Sequence, residues 1–424
     1  MVGVAGFEPA TSCSQSRRDD RATLHPVKFG LQIYSFYSFF IPFLVSFQRK
    51  DFLMKKHLLT LFVLSFFASC AQQKKDDISL NTEKRTYSLE TVVDNLSNPW
   101  GMVWLPDGSM LITEKSGTLI HFKNGTKTEI QNVPEIYNRG QGGLLDIALH
   151  PKYSENGWIY ITHASTEGGG NGGNTKLIRA RLKDNALIDI ESLYKAGPNS
   201  TRGQHFGSRI EFDNEGYLYF SVGDRGDRDT NPQDITRDCG KVYRLNDDGS
   251  VPSDNPFVNK ANAKTAIFSY GHRNPQGMAK HPTTGKIWVH EHGPKGGDEI
   301  NIVQKGVNFG WPIITYGRNY SGSEITPETT RSGMEQPVYY WVPSIAPSGM
   351  DFVTGNKYPD WKGHLLVGSL KFNYVELVRL DGDKVIGREK IAEDSGRVRN
   401  VRMGPDGYIY IALEGQSIVR VVPN

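Results

Sequence analysis

The chain has 424 residues, with 49 Lys and Arg against 46 Asp and Glu and a formal net charge of +3. A balance this even excludes a general nucleic-acid binder, which needs a concentrated basic patch, and 3 cysteines exclude a disulfide scaffold. The 45 Gly, 22 Pro and 19 Tyr point instead to an all-β protein with many tight turns.

The N-terminal stretch is not expected to belong to the fold. The string GFEPATSCSQSRRDDRATLHP, from Gly6 to Pro26, resembles the peptide obtained when a tRNA gene is translated. The aromatic-rich run from Phe29 to Phe47 has the length of a membrane span, but translated AT-rich intergenic sequence gives the same bias. Residues 1–53 are therefore read as a spurious extension and Met54 as the true start. Met54-Lys55-Lys56-His57 is positive, Leu58 to Phe67 is apolar, and Ala68-Ser69-Cys70 supplies small residues before a cysteine. This is the layout of a lipoprotein-type signal peptide over 54–69, with Cys70 as the lipidated residue. Residues 70–85 then form a polar tether. The expectation is an exported, periplasmic or outer-membrane-anchored protein that meets the membrane through its lipid alone.

From residue 86 to 424 one unit recurs. A turn containing Gly precedes an alternating apolar strand at Asp107–Ile112, Asn156–Ile161, Glu215–Phe220, Thr284–Val289, Lys362–Val367 and Asp406–Ile411. Gly accepts the positive φ of the turn, and the β-branched and aromatic residues after it suit a pleated surface at period two. Five of the six are followed by a second such strand, at 117–122, 176–180, 240–245, 375–380 and 417–422. Six hairpin units predict a six-bladed β-propeller of four-stranded antiparallel blades. A β-sandwich competes, but radial repetition explains six similar units better. Long loops between the third and fifth units would gather at one mouth of the channel.

Those loops hold the unusual residues. His205 and Asp224 flank one hairpin, and a His oriented by a carboxylate is a good general base; a structural hydrogen bond is the plain alternative. Arg273 and Asn274, side by side in a rigid turn, suit an anion or a carbonyl, unless they simply face water. In the segment from Glu291 to Asn301, paired acids after a Gly/Pro-rich loop offer hard oxygens to calcium, or form a solvated turn. His290 and His292 alternate on one strand; further zinc ligands are not apparent, so both are read as structural. Lys371, Arg397 and Arg399 would hold a polyanionic small molecule if they share one channel, or are ordinary surface cations. Cys239 stands alone, so no internal disulfide is expected.

Together these segments resemble the soluble quinoprotein glucose and aldose sugar dehydrogenases, six-bladed propellers that use pyrroloquinoline quinone (PQQ) and calcium. The resemblance spans residues 90–424 and rests on NRGQGGLLDIALHP, GQHFGSRI, SVGDRG, YGHRNPQG, HGPKGGDEINIV, NFGWP, WVPSIAPSG, GSLK and GRVRN, in this order. It implies oxidation of an aldose at its anomeric carbon to the lactone, with an external electron acceptor. His205 would take the proton of the anomeric hydroxyl, Asp224 would orient it, and Arg273 would polarise the quinone carbonyl. Gln141, Asn274, Lys371, Arg397 and Arg399 would hold the quinone, and Trp341 would line the cofactor or substrate mouth. The carbonyls of Gly293 and Pro294 would bind one calcium; Glu299, with Asp298 beside it and the Phe309 carbonyl, would bind a second. The segment Asp227–Asn231 is particular to this chain and leaves the preferred sugar open. The family also includes members without cofactor, so a glycan- or protein-binding propeller is the alternative.

Overall fold

The computed structural model describes residues 87–424. The expectations for 1–53, the signal at 54–69, Cys70 and the tether lie outside the described residues.

Six four-stranded antiparallel sheets form the blades of a β-propeller. Five follow the chain in order over 99–129, 144–195, 210–270, 275–341 and 347–391. The sixth joins both ends of the domain: Tyr87–Val93 pairs antiparallel with Ser417–Pro423 as its outermost strand. That closure ties the ring and covers an edge that would otherwise stay unpaired. The described residues hold one short α-helix, Tyr153–Asn156, and a single 3₁₀ turn, Pro359–Trp361.

The six turn-and-strand units become the second strands of the six blades: Met110–Glu114, Ile159–Ser165, Leu218–Val222, Ile287–Glu291, Leu365–Ser369 and Ile409–Leu413. All six are buried along their whole length apart from one end of the first, because each is covered by the neighbouring blade on either face. Aromatic side chains seal those contacts, as where Tyr160 meets Phe212 edge-on at 5.0 Å and Trp288 meets Phe352 at 5.6 Å. The third strand of the fourth blade, Asp298–Ile302, reads in sequence as part of a ligand loop, because the glycines and proline before it hide its alternation.

The innermost strands carry a second repeat. Pro99-Trp100-Gly101, Pro275-Gln276-Gly277 and Pro347-Ser348-Gly349 each start an innermost strand, and each coincides with a shift in register. A bulge takes its middle residue out of the ladder and frees that carbonyl. The carbonyls of Gln276, Arg399 and Trp100 converge on the Arg209 guanidinium at 2.8, 3.0 and 3.4 Å. Asp146 Oδ1 accepts from the same group at 3.2 Å, and the guanidinium lies 3.9 Å over the Trp100 ring. Arg209 is thus a buried plug that joins the inner strands of several blades around the axis.

Candidate active site

The segment before the third blade carries His205 in the left-handed region, at φ 60°. Such a conformation costs about 1–3 kcal/mol and persists only where surroundings enforce it. Gln141 Oε1 accepts from the His205 amide at 2.8 Å. Arg225 lies 3.5 Å over the Phe206 ring and donates to the carbonyls of Arg202, at 2.6 Å, and of Gln204. Gly223 lies so close to this segment that a Cβ there would come within 2.3 Å of the His205 carbonyl oxygen, which is why SVGDRG has glycine at that point.

Asp224 follows the second strand of the same blade and is 1% exposed. Its Oδ1 accepts from His205 Nδ1 at 2.6 Å and from the Gly226 amide at 2.7 Å, and its Oδ2 accepts from Trp311 Nε1 at 2.9 Å. Burial acts to raise this carboxyl, but the bond from His205 and the charges of His205 and Arg273 hold it below the ordinary value. Burial lowers His205 against the opposing pull of Asp224, and Arg273 lowers it further. The arrangement places the proton on Nδ1 and leaves Nε2 as an open lone pair.

His205, Asp224, Arg273, Gln141 and Pro294 line one cavity of about 480 Å³, together with Trp311, Arg228, Asn319 and Tyr320. Arg273 is fixed through its amide, which donates to Glu291 Oε2 at 2.5 Å, and through its Nη1, which donates to the carbonyls of His292 and Gly293 at 2.9 and 3.1 Å. Asn274 is buried, and its Oδ1 accepts from the Gly207 amide at 3.1 Å.

Arg397 and Arg399 meet on one carboxylate that sequence reading missed. Glu414 accepts from Arg397 Nε at 2.8 Å and Arg399 Nε at 2.7 Å, so one acid offsets part of their charge. Burial acts to raise Glu414, but Arg399 and Arg397 bring it below its ordinary value. Arg399 also donates to Gln276 Oε1 at 3.0 Å. His292 lies within electrostatic reach of Arg273, Arg399 and His205. Its buried Nε2 has no hydrogen-bond partner. Lys371 hangs from the same loop cluster, its amide bonded to the Ile345 carbonyl at 3.3 Å.

Asp298 and Glu299 part company. Successive side chains on a strand face opposite ways. Asp298 accepts from the Gly293, Ile345 and Ala346 amides at 2.8, 2.7 and 3.0 Å and from Ser344 Oγ at 2.9 Å. Its oxygens are saturated by these four donors, so it ties two loops together and leaves little capacity for a cation. Glu299 stands directly opposite Glu291 across the strands, where like charges repel. Burial first, then the Glu291 carboxylate, push Glu299 well above the ordinary range. Asn301 Nδ2 donates to both acids at 3.2 Å, while its own buried Oδ1 has no partner. The Phe309 ring stacks on His272 at 4.7 Å.

Trp341 does not line the His205 cavity. Its indole donates to Glu376 Oε2 at 2.6 Å, and it borders a separate cavity of about 480 Å³ with Phe372, Tyr374 and Arg388. Strand alternation buries Trp341 and turns the next residue, Val342, outward to 61% exposure, beside Gly296.

Residues 96–420 match the family described as glucose / sorbosone dehydrogenase. The chain belongs to that family. It is 42% identical over 350 residues to the aldose sugar dehydrogenase YliI of Escherichia coli (strain K12), covering 80% of this chain and 94% of that protein. Among solved structures, it resembles the apo form of the soluble aldose sugar dehydrogenase of Escherichia coli with a TM-score of 0.76 and 38% identity, over 80% of this chain and all of that one. The PQQ-bound aldose sugar dehydrogenase of Streptomyces coelicolor superposes with a TM-score of 0.66 and 25% identity, over 81% of this chain and 100% of that chain. Membership makes this glucose / sorbosone dehydrogenase family chain a sugar-oxidising oxidoreductase.

Proposed function

We propose that this protein oxidises an aldose at the anomeric carbon to its lactone, using PQQ and calcium. The carrying observation is the His205–Asp224 pair at 2.6 Å, facing the same cavity as Arg273. The donor set suits the cofactor: Arg397, Arg399, Lys371 and Asn274 would hold its carboxylates and carbonyls, with the unpartnered His292 Nε2 among them. The Gly293 and Pro294 carbonyls suit one calcium. At the second site Glu299, Glu291 and the orphaned Asn301 Oδ1 form the oxygen-rich cluster that a hard cation neutralises. When bound, the quinone supplies the hydride acceptor and calcium the Lewis acid that polarises it.

The residues of the chain then do three things. His205 Nε2 takes the proton of the anomeric hydroxyl. Asp224 holds the Nδ1 proton in place and stabilises the imidazolium that results. Arg273 presents guanidinium donors to the oxygen on which negative charge develops.

Three measurements test this reading. Protein reconstituted with PQQ and calcium is assayed for dye-linked aldose oxidation with identification of the lactone; no turnover of any aldose and no quinone uptake by absorbance would reject it in favour of a binding module. Because His205 is lowered from 6.5, it stays a competent base below that pH, and activity is lost only as pH falls through the depressed value. The acid limb of kcat/KM is therefore expected below pH 6.5; a limb above it contradicts the assignment. Calcium at a hundredfold excess over Kd is expected to raise Tm by about 5 °C, with the rise reduced in Glu299→Gln; an undiminished rise in that variant removes Glu299 from the metal site.

We also propose export and lipid attachment at Cys70, from the charged, apolar and small-residue pattern of 54–70, with an external acceptor taking the electrons. Cys70→Ser should shift the protein from the membrane fraction to the soluble one; retention in the membrane fraction rejects the anchor.

A further inference from the structure

We propose that Trp311 is the positioning residue of the His205–Asp224 pair, holding the carboxylate at its second oxygen; this rests on the function proposed above. Asp224 Oδ1 is committed to His205 and to the Gly226 amide, so its rotation is decided at Oδ2. The protein donor recorded at Oδ2 is the indole N–H of Trp311, at 2.9 Å. In a carboxylate that is 1% exposed, water cannot readily replace it.

Trp311 is itself held firmly. Its amide donates to the Gly271 carbonyl at 2.9 Å, and its carbonyl accepts from Gln233 Nε2 at 2.8 Å. Gln233 exchanges two further bonds with Asn308, at 2.7 and 3.1 Å. The ring is 6% exposed, borders the cavity, and lies 5.4 Å beneath the Arg273 guanidinium. One side chain from the fourth blade therefore touches both the acid behind the base and the arginine beside it. An apolar ring would fill the same space; an indole also carries the N–H that Oδ2 accepts.

The test compares two replacements that remove the N–H: Trp311→Phe, and benzothienylalanine at position 311, which keeps the bicyclic shape. Each is assayed as the reconstituted holoenzyme. The expected result in both is a fall in kcat of about tenfold, with sugar KM and quinone uptake within about twofold of the parent. The downfield Nδ1–H resonance of His205, read by NMR in the folded chain without sugar, is expected to shift. Unchanged kcat and an unchanged resonance in both forms overturn the proposal. A fall in Trp311→Phe alone, with the benzothienylalanine form unaffected, assigns the effect to ring shape and overturns it as well. If the parent protein oxidises no aldose, the proposed function fails, while the His205 resonance still decides the role of Trp311.

Discussion

His205→Ala is expected to lower kcat by about 10²–10⁴-fold while leaving quinone uptake intact. The ring is bonded to the protein through Nδ1 alone, to Asp224, and the cationic residues that would hold the cofactor are bonded elsewhere. Arg397 and Arg399 rest on Glu414, and Arg273 rests on Glu291, His292 and Gly293. Removing the imidazole therefore removes the proton acceptor without dismantling the anion site. Quinone titration by absorbance and steady-state kinetics separate the two effects. Loss of quinone uptake in this variant would show that His205 belongs to the cofactor site instead.

The largest effect on stability is expected at the axis. Arg209→Leu should destabilise the fold by about 3–5 kcal/mol, the cost of leaving one half of a buried ion pair unpaired. Asp146 would keep the Ile210 amide at 3.0 Å and a more distant Arg402 at 3.7 Å, but lose its bond to Arg209. The carbonyls of Gln276, Trp100 and Arg399 would lose a shared donor at the same time. Chemical denaturation measures the change, and Arg209→Leu with Asp146→Leu should recover part of it because no carboxylate is then left without its nearer partner, the recovery being partial because Arg402 loses Asp146. A single variant as stable as the parent would mean that the plug carries no energy.

These two residues stand at opposite ends of what sequence reading reaches. His205 is legible because GQHFGSRI and SVGDRG lie on one hairpin, where a short loop brings histidine and aspartate together. Arg209 lies inside the first of those motifs, yet nothing local marks it as a plug. One of its partners is the Arg399 carbonyl, 190 positions further along the chain. Trp341 stands apart from the His205 cavity. The resemblance implies that it lines the cofactor or substrate mouth; the parity of the strand buries it against Glu376 and exposes Val342. Alternation likewise sends the adjacent acids Asp298 and Glu299 to different partners.

The amino-acid sequence alone determined the six-bladed architecture, because turn glycines and period-two strands are local signals. The tertiary structure decided the pairings: Glu414 with both arginines, Glu299 against Glu291, Trp311 on an aspartate 87 residues away, and Tyr87–Val93 on the last strand. These depend on ring closure and on which face of each strand meets its neighbour. That geometry exists only once the blades have packed.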